Sequence, residues 1–185
     1  MDPMTLLLVV LLFVILLWAI STYNTLVRER LHVKEGWSAV QVQLQRRGSL
    51  IPNLVETVRG YAGHERQTLD SVIEARDRVQ NAARPADAAI ASNALTQTLR
   101  SLFALAEAYP NLKANQHFQN LQEQLADTED KISYARNYYN SRVVSYNGLV
   151  QMVPSSYIAK VGNFPESEFF EASEEGRDEV GVTFG

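Results

Sequence analysis

Residues 4–20 read MTLLLVVLLFVILLWAI, and nothing between Asp2 and Arg28 ionises near neutral pH. No other feature restricts the chain as much. A helix that crosses the hydrocarbon core of a bilayer needs about 20 such residues, and Pro3 to Thr22 supplies them. Trp18 and Tyr23 stand where an aromatic belt would mark the boundary. The competing reading is a cleaved signal peptide, which wants a basic start and a small-x-small cleavage site. This chain starts with Asp2, and LWAIST is a poor site. Residues 1–22 are therefore expected to be an uncleaved anchor, with residues 4–22 in contact with lipid. Arg28, Arg30 and Lys34 follow the run and no Lys or Arg precedes it. The positive-inside rule then puts the N-terminus outside and the rest of the chain in the cytoplasm.

Beyond the anchor the apolar spacing is helical. The first segment, Tyr23 to about Arg47, carries Leu26, Val33, Trp37, Val40 and Leu44 on one face. Gly48-Ser49 is expected to end it, and Pro52 suits the first turn of the next helix. That second segment, about Pro52 to Ala83, has the stripe Leu54, Val58, Tyr61, Ala62, Leu69, Val72 and Val79. Asp87 is the expected cap of a third, carrying Ala91, Leu95, Leu99, Leu102 and Ala106. A fourth, about Ala114 to Met152, runs from Phe118 through Leu125, Ile132, Tyr139 and Tyr146 to Val150. Short connections between long amphipathic helices predict an antiparallel up-down arrangement. The expected fold is all-α: a transmembrane helix followed by an antiparallel four-helix bundle over 23–153. Residues 154–185 form an acidic tail. From Phe164 to Gly185 there are 7 acids against Arg177 alone, which suggests a solvated segment. Its phenylalanines and the alternating VGVTF suggest that part of it docks on the bundle or on a partner.

Few residues point to chemistry. With no cysteine, disulfides, thiolate metal sites and a cysteine nucleophile are excluded. His64-Glu65 starts like H-E-x-x-H, but Thr68 stands where the second histidine belongs. No Glu-x-x-His pairs of the di-iron bundle type occur, and neither does G-x-S-x-G, a phosphate loop or G-x-G-x-x-G. No catalytic residue, metal or cofactor is expected, and the absence of a long basic run argues against nucleic acid. At 100° per residue Glu65 and Arg76 fall within about 40° of the line of Val58, Leu69 and Val72. Glu129 and Arg136 fall at the edge of the fourth stripe. Charges on a core stripe must be paired, so cross-helix pairs are expected among Glu65, Arg76, Glu129, Arg136 and Arg30. YNTLV at 23–27 recurs as YNGLV at 146–150. An up-down bundle brings these together, making Tyr23, Asn24, Tyr146 and Asn147 a candidate membrane-proximal docking surface. At the far end the turns holding Pro52, Tyr109, Pro110, Lys113 and Asn115 form a candidate distal surface.

The stretch YNTLVRERLHVKEGWSAVQVQLQRRGSLIPNLVETVRGYAGHE resembles the signature of the LemA family. So do ALAEAYPNLKAN, FQNLQEQLADTEDKISYARNYYN and YNGLVQMVPSSYIA, in order, as far as FFEA. Gly36 and Gly48 depart from the pattern. The resemblance implies a bacterial membrane protein with an N-terminal anchor and an antiparallel helical bundle, and no established activity. The function expected is that of a non-enzymatic scaffold or adaptor at the cytoplasmic membrane, with a protein partner or a second copy of itself. Alternatives are a regulator of a membrane protease or envelope-stress process, or a metal-dependent enzyme.

Overall fold

The computed structural model describes residues 2–171. All regular structure among them is helical: α1 (Pro3–Arg59), α2 (Arg66–Asn81), α3 (Pro85–Ala106), α4 (Pro110–Lys113), α5 (Gln116–Gln151) and α6 (Ser155–Val161). The apolar run forms the first part of α1, long and apolar enough to cross a membrane. Its large apolar side chains from Met4 to Leu17 are each at least half exposed. Among the described residues no protein contact accounts for their apolarity.

The same helix continues without a break into the packed part of the chain. The expected stop at Gly48-Ser49 does not occur, and Pro52 lies inside α1. An interior proline removes a hydrogen bond to the carbonyl four residues back, at a cost of about 3 kcal/mol. Burial on both sides of Pro52 offsets this. Leu44, Gly48, Ile51, Leu54, Val55 and Val58 are all buried, while Pro52 itself faces solvent.

Direction reverses instead at Gly60–Glu65, inside the segment read as one helix from 52 to 83. Two glycines, 60 and 63, weaken the helix there. Tyr61 and Ala62 both hydrogen-bond back to the Val58 carbonyl. Ala62 stays buried through the turn, so the apolar stripe passes over the reversal and conceals it.

α5 runs antiparallel along α1: Gly36 faces Tyr139, and Arg47 faces Glu129. A Cβ at Gly36 would lie 3.1 Å from the Tyr139 Cα. Glycine is what lets the two backbones approach so closely. The α2–α3 hairpin packs on α1 and reaches back only as far as Trp37, Gln41 and Leu44, beside Ala82 and Ala88. Phe103 of α3 meets Phe118 of α5 edge-on at 6.0 Å. In the half nearer the apolar run, α6 and residues 163–171 cover α1 and α5 in place of the hairpin. The expected boundary at 154 is therefore not a break in packing: Ala159, Phe164 and Phe170 belong to the same core as Leu26 and Val143. The VGVTF segment and Phe184 lie outside the described residues.

Candidate functional site

α5 carries Tyr139-Asn140 and, seven residues on, Tyr146-Asn147. Seven residues are two helical turns, so both pairs share one face. Across that face lies an extended strap, residues 164–170. The Asn147 Nδ2 donates to the Ser167 carbonyl at 2.9 Å, and the Ser167 amide donates to Asn147 Oδ1 at 2.9 Å. Asn140 treats Phe170 alike, at 3.3 and 2.9 Å. The Tyr146 hydroxyl donates to the Pro165 carbonyl at 2.8 Å, and Tyr139 to that of Glu168 at 2.7 Å. All of these bonds reach strap backbone atoms, so they read a main chain rather than a sequence.

Register explains why the clamp repeats. Successive partners on the strap are three residues apart, and successive clamps on α5 are seven apart. Seven helical residues rise about 10.5 Å; three residues of a polyproline-type chain rise about 9.3 Å. The two repeats nearly match. Exposure along the strap has the same period of three: Phe164 and Phe170 are buried and Ser167 is half-buried, while 165, 166, 168 and 169 are exposed. Phe164 meets Tyr23 edge-on at 5.4 Å, with Arg30 6.0 Å above the ring. Phe170 rests on Trp37 at 6.2 Å, and Trp37 also touches Tyr139 at 5.7 Å. Arg84, at the α2–α3 turn, reaches Glu168 at 3.7 Å.

Both clamp hydroxyls act as donors and must stay protonated. Burial, with a smaller contribution from Glu168, pushes the Tyr139 hydroxyl up to about 12. Burial also raises Tyr146, opposed by the Arg30 charge. A folded-state value above the unfolded one gives stability that is complete below the unfolded value and lost as pH climbs through the folded one. Alkaline titration should therefore loosen the clamp between about pH 10 and 12. Tyrosinate absorbance and circular dichroism would follow the loss, and Tyr139→Phe should make it shallower.

Among the residues singled out from sequence, Tyr146 and Asn147 are buried and already engaged by the strap. They form no free docking surface. Tyr23 joins them through Phe164, whereas Asn24 is exposed and makes no side-chain hydrogen bond among the described residues. Arg30 sits over Phe164. Glu129 pairs across helices with Arg47 at 2.7 Å, a partner not singled out from sequence. Arg76 pairs with its neighbour Asp77 at 2.9 Å. Arg136 is exposed, and Glu65 occupies the cap position before α2 in the α1–α2 turn rather than a core helix face. Neither forms an ion pair among the described residues. His64 is exposed in the same turn, and no group of three metal-ligating side chains occurs among the described residues.

At the far end Asn115 caps α5, accepting from the amides of His117 and Phe118. Its Nδ2 donates to the Tyr61 hydroxyl at 3.0 Å, tying the two distal turns together. Lys113 pairs with Glu107, Tyr109 is half-buried and Pro110 is exposed. Pro52 does not join them. It stands on α1 about 12 Å before the turn, at 1.5 Å per residue.

Sequence reasoning missed Arg47 and Asn140; it expected part of the tail to dock, as Phe164 and Phe170 do, but not where or through which partners. The signal for the clamp was the Tyr-Asn repeat at 139–140 and 146–147, which has heptad spacing where the 23–24 pair does not.

Comparison with known proteins agrees on one family. The chain is 22% identical to protein LemA of Metamycoplasma hominis, over 85% of this chain and 72% of the relative. It is 24% identical to magnetosome protein MamQ 2 of Paramagnetospirillum magneticum, over 83% of this chain and 66% of the relative. The figures for magnetosome protein MamQ of Magnetospirillum gryphiswaldense are 24%, 80% and 64%. The chain thus spans about two thirds of the length of the magnetosome relatives it matches. With residues 36–184 matching the LemA family model, clamp and strap included, this chain belongs to the LemA family.

Proposed function

We propose that the chain is a single-pass membrane protein in which α1 mounts an antiparallel four-helix bundle directly on the bilayer. It acts there as a non-enzymatic scaffold or adaptor in the cytoplasmic membrane, with its N-terminus outside. The observation that carries this reading is the continuity of α1 from the exposed apolar run into the core. A helix without a linker holds the packed helices at a set height, which suits presentation of a surface more than turnover of a diffusing substrate. One such surface is the outer cleft between α1 and α5, lined by Ser38, Ala39, Val42, Tyr134 and Tyr138 among others. There Val42 is 55% and Tyr134 78% exposed. Aromatic residues of this kind anchor protein interfaces.

Because the chain has no cysteine, a Tyr134→Cys variant carries a single thiol. In intact cells it should resist a membrane-impermeant maleimide and should react after lysis. A thiol-directed crosslinker should give one discrete adduct, lost when Val42→Lys is added. Labelling in intact cells would reverse the orientation. A diffuse adduct pattern, or one indifferent to Val42→Lys, would remove this face as the adaptor surface.

A further inference from the structure

The end of the apolar run sets a height on the molecule. At that height Trp18, Ser21, Thr22 and Thr25 of α1 line one shallow cleft with Leu149, Pro154 and Ser155. The corner between α5 and α6 therefore lies level with the end of the span. Around this corner Met152 is 58% exposed, Val153 73%, Tyr157 64% and Val161 90%. Ser156 and Ala159, on the other side of α6, are buried against the core. Lys160 is exposed among the apolar residues. A lysine so placed can lay its stem along an apolar surface and keep its ammonium at the level of lipid phosphates.

A soluble partner would meet these side chains at a height already occupied by lipid, and a second copy would have to displace that lipid. Continuity with the span therefore selects the occupant. We propose that the α5–α6 corner is a second membrane contact, an apolar foot seated at the boundary of headgroups and acyl chains beside α1. This rests on the reading of α1 as the anchor. A lone spanning helix leaves the domain free to tilt, whereas a second contact set to one side of the span fixes the tilt. The foot also lies two residues before the strap, since only Gly162 and Asn163 separate α6 from Phe164.

The test uses the full-length protein in phosphatidylcholine vesicles containing phosphatidylglycerol. Met152→Cys and Tyr157→Cys each receive an environment-sensitive fluorophore, with Leu11→Cys and the distal Asn120→Cys as references. Circular dichroism checks that each variant keeps its helices. The foot predicts blue-shifted emission at 152 and 157, quenched by lipids bearing a nitroxide at the headgroup, with position 120 unaffected. Position 11 should be quenched by a nitroxide at mid-chain. If position 11 is quenched while 152 and 157 behave like 120, the anchor stands and the foot is overturned. If position 11 is not quenched, the anchor fails and the foot with it.

Discussion

Glu129→Ala is expected to destabilise the folded chain by about 3 kcal/mol, more than removing its partner with Arg47→Met, because a stranded buried charge costs more than a missing one. Arg47 is 3% exposed. Its Nη2 donates to the Thr96 hydroxyl at 3.0 Å, and its Nη1 lies 2.7 Å from Glu129 Oε2. That contact is off the hydrogen-bonding line, so charge rather than an aligned bond holds the pair. Burial lowers the arginine's pKa and Glu129 opposes the shift. Alanine at 129 leaves the guanidinium in a low-dielectric site with only a hydroxyl for company. Methionine at 47 fills much of the same volume. It leaves a carboxylate whose Oε2 is buried beside position 47 but whose side chain is 45% exposed, so it can turn toward water. Thr96 keeps its bond to the Ser92 carbonyl. Arg47→Met should therefore fall within about 1 kcal/mol of the parent, or be more stable. Thermal unfolding followed by circular dichroism would compare them. An equal loss in both variants would show that the pair contributes through direct attraction, not through the cost of an unmatched charge.

What could be read from the residues followed a simple rule: features set by local period were legible, and features set by tertiary burial were not. The span and the long helix α5 come from uninterrupted apolar spacing with strong signals at each end. Asn115 caps one end and Pro154 follows the other. Gly48 and Pro52 each weaken a helix, but neither forces an end when the residues between and beyond them are buried. Reading one helix across 60–65 keeps the stripe, since Leu54, Val58, Leu69, Val72 and Val79 are all buried, but it hides the turn in which Glu65 lies. That stripe also takes in Glu65 and Arg76, which form no cross-helix ion pair among the described residues, and a helix end at Arg47 hides a buried arginine. The buried charge stood in plain view at the spacing Val40, Leu44, Arg47, Ile51.

Composition gives both halves of the tail's first part, its solvated acids and its docked phenylalanines, but not the register that joins them. Its acidity argues for a solvated chain, and residues 165, 166, 168 and 169 are indeed exposed. Phe164, Ser167 and Phe170 recur at a period of three, which neither a strand nor an α-helix produces. Such a period becomes legible only beside a repeat that matches it in length. The Tyr-Asn heptad on α5 is that repeat.

Tyr146→Ala is expected to cost about 3–5 kcal/mol, in the range for truncating a fully buried aromatic. Tyr146→Phe should cost about 1 kcal/mol, the net worth of one hydrogen bond. Tyr146 is 1% exposed, and its hydroxyl donates to the Pro165 carbonyl. Phenylalanine keeps the ring and gives up only that bond. The carbonyl it leaves belongs to an exposed residue, where water can replace the donor. Alanine removes the ring from the core, with little room for α1 and α5 to close because Gly36 and Tyr139 already bring the helices near contact. Asn147→Ala separates the two effects. It removes no ring but leaves both backbone groups of Ser167 without their partner, so it should release the strap while the helices keep most of their stability. Limited proteolysis would detect that release as faster cleavage after Asn163, and thermal unfolding would measure the rest. The expected order of global stability loss is Tyr146→Ala, then Asn147→Ala, then Tyr146→Phe. The expected order of strap release puts Asn147→Ala well ahead of Tyr146→Phe. If Asn147→Ala left cleavage unchanged, the strap would be held by its two phenylalanines and not by the clamp.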